Sequence, residues 1–183
     1  PEYYYFTTLT ENFSKTYAFF TAEHFGADFS AVAFSGYGVY SGFTQGGRNS
    51  EDVISRHYLK SALVPYEEHL WDFSKKENNL VVINLGTNDA SYCSKSYTGR
   101  QNFTSAYVEL LKTVREKNPT AYILCILGDM NNSLYPCIEE AVRLYSNEMW
   151  DSAVSAATVT FDMGNTDIVV DGHPGVLANK RAA

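Results

Sequence analysis

The apolar run Leu80 to Leu85 (LVVINL), followed without a spacer by Gly86-Thr87-Asn88-Asp89, constrains the fold more than any other stretch. A short apolar run of this kind is what a strand buried on both faces of a parallel sheet looks like, and the glycine-led tetrapeptide reads as the loop that leaves it. Similar pairs recur. Asp28 to Phe34 (DFSAVAF) precedes the Gly-rich stretch Ser35 to Gly47, Ala121 to Leu127 precedes Gly128 to Asn132, and Thr158 to Asp162 precedes a polar loop ending in Asp171-Gly172-His173-Pro174. Helical patterns separate them. Phe13, Tyr17, Phe20 and His24 or Phe25 recur at helical spacing before a capping Gly26. Further helices are expected over about Ser50 to Trp71, Gln101 to Lys117 and Tyr135 to Ser152, and a last one after Pro174. Strands alternating with helices predict a doubly wound α/β sheet, whose functional loops lie at the carboxyl ends of the strands. All the chemically interesting loops fall there.

At 183 residues, 45% hydrophobic and with no shift in composition along its length, the chain reads as one domain spanning 1–183. A net charge of −7, with 14 Lys and Arg scattered, gives no basic footprint, so neither nucleic acid nor an anionic membrane surface is an expected partner. No apolar run approaches the ~18 residues of a membrane span. Cys93, Cys125 and Cys137 are too few for a disulfide framework or a zinc cluster, leaving room for one pair and one free thiol. No metal or other cofactor is expected. The 14 Tyr and 11 Phe read first as an aromatic-rich core, and would also suit a surface that stacks on sugar rings.

Asp171-Gly172-His173-Pro174 sets a carboxylate two residues from an imidazole, with a glycine able to turn sharply between them. An Asp so placed would fix the His tautomer and stabilise the imidazolium formed when the ring takes a proton. Pro174 restricts His173 to extended backbone and suits the first position of a following helix. Taken alone, D-x-H is more often a helix-start turn with an exposed His. His24, His57 and His69 lie in helical patterns and read as surface residues. The Asn88 amide is a good donor to a developing oxyanion, while Asp89 is expected to cap the next helix. Ser35-Gly36-Tyr37-Gly38 lets the backbone approach a ligand closely, so the Gly36 N–H could be a second donor. Its glycines do not fit a dinucleotide fingerprint, and no P-loop occurs.

In order, the strand with its G-x-x-G-like loop, the strand followed by G-T-N-D, and the late D-x-H-P resemble the second, third and fifth sequence blocks of the SGNH (GDSL) hydrolase superfamily. Within it, Thr10 to Tyr17, Gly26-Ala27-Asp28 and Ala33 to Gly38 look most like carbohydrate esterase family two. The resemblance implies the SGNH-hydrolase (flavodoxin-like) fold, three-layer α/β/α with a mostly parallel sheet, and a secreted enzyme that removes O-acetyl groups from plant polysaccharides such as xylan and glucomannan. Carried over residue by residue, it makes His173 the general base and acid, Asp171 its orienting partner, and the Gly36 N–H and Asn88 side chain the oxyanion donors. An acetylated polysaccharide or oligosaccharide is the implied partner.

The family's nucleophile sits in a Gly-Asp-Ser block after the first strand, and no Gly-Asp-Ser occurs in this chain. The corresponding central strand is missing too, which would expose two rows of backbone groups. The expectation is therefore that the chain is part of a longer polypeptide with further modules, incomplete at its N-terminus and at the helix following Val176. Ser35 and Ser41 are poor substitutes, because neither sits in a G-x-S-x-G elbow. Two other readings stay open: a non-catalytic carbohydrate-binding domain that has lost its nucleophile, and a flavodoxin-like phosphate binder, for which only Arg48 and Arg100 offer charge.

Overall fold

A computed structural model of the chain describes residues 11–61, 69–128, 130–162 and 172–183. These form two compact units: one comprises 11–31, 128, 130, 159–162 and 172–183, the other 32–61, 69–127 and 131–158.

In the first unit, a 3-10 turn over Phe13–Lys15 leads into α1 (Tyr17–Phe25). Thr16 caps α1 with its hydroxyl oxygen, which accepts from the Phe19 N–H, and Gly26, the C-cap the sequence predicts, closes it in the left-handed conformation at φ 59°. At the other end of the chain α5 (Val176–Ala182) packs on α1. Asn179 of α5 accepts from the Tyr17 N–H at 2.9 Å and donates to the Pro174 and Gly175 carbonyls at 3.1 and 2.9 Å. One side chain thus joins the start of α1 to the segment that follows His173.

The second unit holds the sheet. In chain order its elements are β1 (Leu80–Asn84), α2 (Ala90–Cys93), α3 (Tyr97–Lys117), β2 (Tyr122–Gly128), α4 (Tyr135–Met149) and β3 (Val154–Val159). The strands lie in the order β1-β2-β3, with β1 parallel to β2 in the register Leu80↔Tyr122 to Asn84↔Ile126. This is the expected α/β architecture. The buried positions of α3, among them Phe103, Tyr107, Leu111 and Val114, repeat every three to four residues and so form one stripe. Ile138, Ala141 and Tyr145 do the same on α4, which packs against α3. Both stripes share a core cluster with Ile83, Ile123, Cys125 and Leu127. Burying a side chain of this size is worth ~1.5–3 kcal/mol, so the core is what fixes the ends of the strands.

Four expectations are corrected. Among the described residues the strand buried on both faces is β2, from Cys125 to Gly128, whereas β1 leaves Leu80 52% and Val82 44% exposed. Among the described residues β1 ends the strand order, so its side chains have a neighbouring strand on one side only. Asp28 to Phe34 forms no strand and is mostly exposed, because no ladder partner flanks it among the described residues. Ser50 to Ser61 forms only a 3-10 turn at Ile54–Arg56, not a long helix. Its backbone is taken up elsewhere: Gly38 N–H donates to the Asp52 carbonyl and Ile54 N–H to the Gly38 carbonyl, at 3.1 and 2.9 Å, while just before it Gly42 N–H donates to the Asn49 carbonyl at 2.9 Å. Residues 62–68 of that expected helix lie outside the described residues. The final strand also falls earlier than Thr158 to Asp162, at Val154–Val159.

Candidate active site

The carboxyl end of β1 runs directly into Gly86-Thr87-Asn88-Asp89 and then into the short helix α2. This turn is rigid. Ala90 N–H donates to the Gly86 carbonyl at 3.0 Å, and the Asn88 carbonyl receives both the N–H and the hydroxyl of Ser91, at 3.1 and 2.7 Å. From it the Asn88 side-chain amide donates to the Tyr37 carbonyl at 2.9 Å. Two of the predicted site residues, Asn88 and Gly36, are therefore brought to one place.

Gly36 occupies a tight turn in which the Tyr37 N–H donates to the Phe34 carbonyl at 3.3 Å, and its φ of 80° is one that side-chain-bearing residues rarely adopt. Its own carbonyl accepts from the Phe43 N–H at 2.7 Å, while its N–H has no acceptor among the described residues. The Gly36 turn thus carries a backbone donor without an acceptor among the described residues, and bonded to its Tyr37 carbonyl is a side-chain amide with a second proton to give; both are donors of the kind that stabilise a developing negative charge. The loop after it is stapled at several points. Thr44 N–H donates to the Ser91 hydroxyl at 3.0 Å, Arg48 Nε donates to the Tyr40 carbonyl at 2.9 Å with its guanidinium 3.8 Å over the Tyr40 ring, and Asn102 donates to the Tyr40 hydroxyl at 3.1 Å.

Asp89 does not cap α2. Its backbone is helical, its side chain makes no cap bond, and its fully buried carboxylate instead accepts from three successive amides: Val39 at 2.9 Å, Tyr40 at 2.7 Å and Ser41 at 2.9 Å. Burial pushes this carboxyl above its ordinary range, and the Ser41, Val39 and Tyr40 amides pull it part of the way back. Local spacing carries no sign of this link, which spans 48 to 50 residues.

Ser41 is wholly buried, with its hydroxyl donating to the Gly42 carbonyl at 3.0 Å and accepting from the Asn49 N–H at 3.1 Å. That removes it as a nucleophile. His57, expected on a helix surface, is partly buried against Phe34 and Tyr37, with ring centroids at 5.7 and 5.4 Å, so it backs the Gly36 turn. Burial first, then the positive Lys60 and Arg56, hold its pKa below the ordinary value, with Asp52 opposing. His24 is exposed on α1 as expected, whereas His69 is exposed outside any helix. Neither arginine offered for phosphate is poised for it: Arg48 is engaged with Tyr40, and Arg100 with the Ser94 carbonyl.

His173 is exposed and belongs to the first unit. Gly172 before it has φ 75°, the sharp turn the sequence called for, although the following helix begins at Val176 with Gly175, not Pro174, at its start. Asp171 lies outside the described residues. The three cysteines are free thiols, and Cys93 and Cys125 are pushed up to about 12 by burial. Among the described residues no cluster of His, Cys, Asp and Glu could hold a metal ion, and no helix is long and apolar enough to cross a membrane.

Comparison with known proteins identifies the family and the fold. The family model for GDSL-like lipase/acylhydrolase matches residues 6–169. The cellulase/esterase CelE of Acetivibrio thermocellus is 31% identical over 182 residues, which cover 97% of this chain and 21% of CelE. A family two carbohydrate esterase from Clostridium thermocellum, solved in complex with cellohexaose, matches with a TM-score of 0.83 at 30% identity, over 100% of this chain and 55% of the other. The acetyl xylan esterase Est2A from the rumen bacterium Butyrivibrio proteoclasticus has the same fold, with a TM-score of 0.87 at 21% identity over 98% of this chain and 57% of its own. The chain thus spans about a fifth of the curated relative and little more than half of the solved ones.

Proposed function

The chain belongs to the GDSL-like lipase/acylhydrolase family, and from that premise we propose that it is most of the catalytic domain of a secreted, family two carbohydrate O-acetyl esterase acting on plant polysaccharides of the xylan or glucomannan type. One observation carries the proposal: Asn88 donates to Tyr37 at 2.9 Å, which sets a side-chain amide beside the glycine turn whose Gly36 N–H has no acceptor among the described residues.

In this reading a serine of the longer polypeptide attacks the acetyl carbonyl and passes its proton to His173, whose tautomer Asp171 holds. The carbonyl oxygen becomes an oxyanion received by the Gly36 N–H and the free proton of the Asn88 amide. As the intermediate collapses, the bond to the sugar oxygen breaks and His173 returns the proton to the leaving hydroxyl. Water then attacks the acetyl-enzyme with His173 again as base, the bond to the serine oxygen breaks as His173 returns the proton to it, and acetate departs. The scheme requires no metal or cofactor. The relatives support the substrate class, since one is named an acetyl xylan esterase and another was solved with cellohexaose.

The test is acetate release from acetylated xylan and acetylated glucomannan by the full-length polypeptide, together with labelling by a serine-directed phosphonate. Turnover and stoichiometric labelling are expected. Saturable oligosaccharide binding without either would replace this reading with that of a carbohydrate-binding domain.

A further inference from the structure

Asn88 and Asp89 are consecutive, yet both side chains leave their own turn for the same distant loop. Asn88 donates to the Tyr37 carbonyl, and Asp89 receives the amides of Val39, Tyr40 and Ser41, three of its four contacts being on Oδ1. We infer that Asp89 is a positioning residue of the oxyanion hole, holding the Gly36-to-Ser41 loop, and through it the Gly36 N–H, at its working distance from Asn88.

The inference rests on reading Gly36 and Asn88 as the oxyanion donors, and three further observations support it. First, a fully buried carboxylate is costly unless donors meet it, and successive backbone amides form the concave nest that suits an anion. An Asp present only to start a helix would be satisfied within that helix, and this one is not. Second, the loop is seated on the carboxylate at van der Waals range only because residue 38 is glycine. A Cβ there would meet Asp89 Oδ2 at 2.6 Å and its Cγ at 2.8 Å, and would strike the Ser41 carbonyl. Third, the opposite side of the loop is anchored as well, since the Val39 side chain belongs to the core cluster. The loop is held between the core and Asp89, two residues beyond its donor-bearing turn. Catalytic groups must be placed to within a fraction of an ångström, and a misplacement of ~1 Å can cost ~10²-fold in rate. Holding both donors from one dipeptide meets that demand.

The experiment is a double-mutant cycle in the full-length polypeptide, with hydrolysis of an acetyl ester as readout. Asp89→Asn keeps the shape but replaces an acceptor oxygen with an amino group facing backbone donors. It is expected to lower kcat by ~10- to 100-fold with KM changed by less than about threefold, in line with misplacement of a donor. In an Asn88→Ala background the same substitution should have a much smaller effect, because the hole that Asp89 positions has already lost its partner donor. An equal loss in both backgrounds would mark Asp89 as generally structural and overturn the inference, as would an unchanged kcat. Should Asp89→Asn fail to fold, Gly38→Ala decides the question from the loop side: a loss of kcat that shrinks in the Asn88→Ala background supports the inference, and retained kcat overturns it. An inactive wild-type polypeptide would instead count against the esterase reading, which keeps the two failures apart.

Discussion

The side-chain amide of Asn88 donates to the main-chain carbonyl of Tyr37 at 2.9 Å across 51 residues of sequence. It joins the turn after β1 to the turn that carries Gly36, and it uses one of the two amide protons, leaving the second for a ligand oxygen.

Asn88→Ala should therefore separate catalysis from stability. Loss of one neutral, part-buried hydrogen bond costs about 0.5–1.5 kcal/mol of folding free energy. Loss of an oxyanion donor removes ~10²- to 10³-fold of rate. The expected outcome, read by acetyl-ester kinetics and thermal melts on the full-length polypeptide, is a kcat lower by that factor, with only a slight shift in Tm and nearly unchanged affinity for a deacetylated oligosaccharide. A variant with near-wild-type kcat would remove Asn88 from the mechanism.

His173 is exposed, so replacing it leaves no cavity and should barely alter Tm. As the proposed proton carrier in both half-reactions, however, it has no substitute, and His173→Ala should reduce acetyl-ester turnover by at least ~10³-fold, the scale on which triad members act. Asp171→Asn should cost less, because it disturbs only the orientation and charge of the ring. Turnover that survives His173→Ala would exclude the acyl-transfer scheme.

How far the sequence alone reaches depends on whether a signal is local. The helical stripe Phe103, Tyr107, Leu111 and Val114 is legible because it comes from the backbone's own period. So is β1 with its Gly-Thr-Asn-Asp turn, where an apolar run and a glycine lie side by side in the chain. Asp28 to Phe34 has the composition of a strand, but composition does not supply a pairing partner. Ser50 to Ser61 shows helical spacing, yet the Gly38 backbone bonds the Asp52 carbonyl and the Ile54 N–H, and tertiary pairing overrides the local preference. Asp89 is the extreme case. An Asp after a strand signals a cap by every local rule, whereas its three donors lie in a loop whose approach only the folded core determines.

A stability prediction concerns Arg115 and Asp151, whose Nε and Oδ2 are 2.8 Å apart, each side chain only 16% exposed. Arg115 also donates to the Asn118, Ala121 and Ala153 carbonyls, while Asp151 receives the Tyr145 hydroxyl and the Ala153 N–H, so the pair ties the end of α3 to the entries of β2 and β3. Asp151→Ala leaves the guanidinium short of its charge partner, at an expected cost of about 2–3 kcal/mol by denaturant melts, below the 3–5 of a fully buried pair. Burial, the largest single effect, pushes the Asp151 carboxyl up, but the Ala153 N–H, Tyr145 and Arg115 together outweigh it and hold it below its ordinary value of 3.8. A depressed carboxyl adds stability that is complete above 3.8 and is lost as pH falls through the folded value. The wild-type advantage over Asp151→Asn should thus narrow below about pH 4 and disappear under stronger acid. An advantage that persists unchanged there would contradict the linkage.

His57 gives the opposite side of the pH range. Its ring backs the Gly36 turn through edge contacts with Phe34 and Tyr37, and its Nδ1 is buried with no hydrogen-bond partner among the described residues. Burial and the nearby Lys60 and Arg56 disfavour the protonated ring, so its folded pKa lies below the ordinary 6.5, with Asp52 a weaker counterweight. The unfolded chain then binds the proton more readily, and the stability due to neutral His57 is complete above pH 6.5 and drains away as pH falls through the folded value. The wild-type Tm should decline from about pH 7 to pH 5, and His57→Phe, which keeps an aromatic ring and cannot titrate, should flatten that decline. In kcat, which senses only the folded ring, the effect should enter below the ordinary 6.5, since a charged ring would press on the turn that aims the Gly36 N–H. If Tm and kcat of the wild type and of His57→Phe fall in parallel over this range, the ring behind the Gly36 turn does not sense pH.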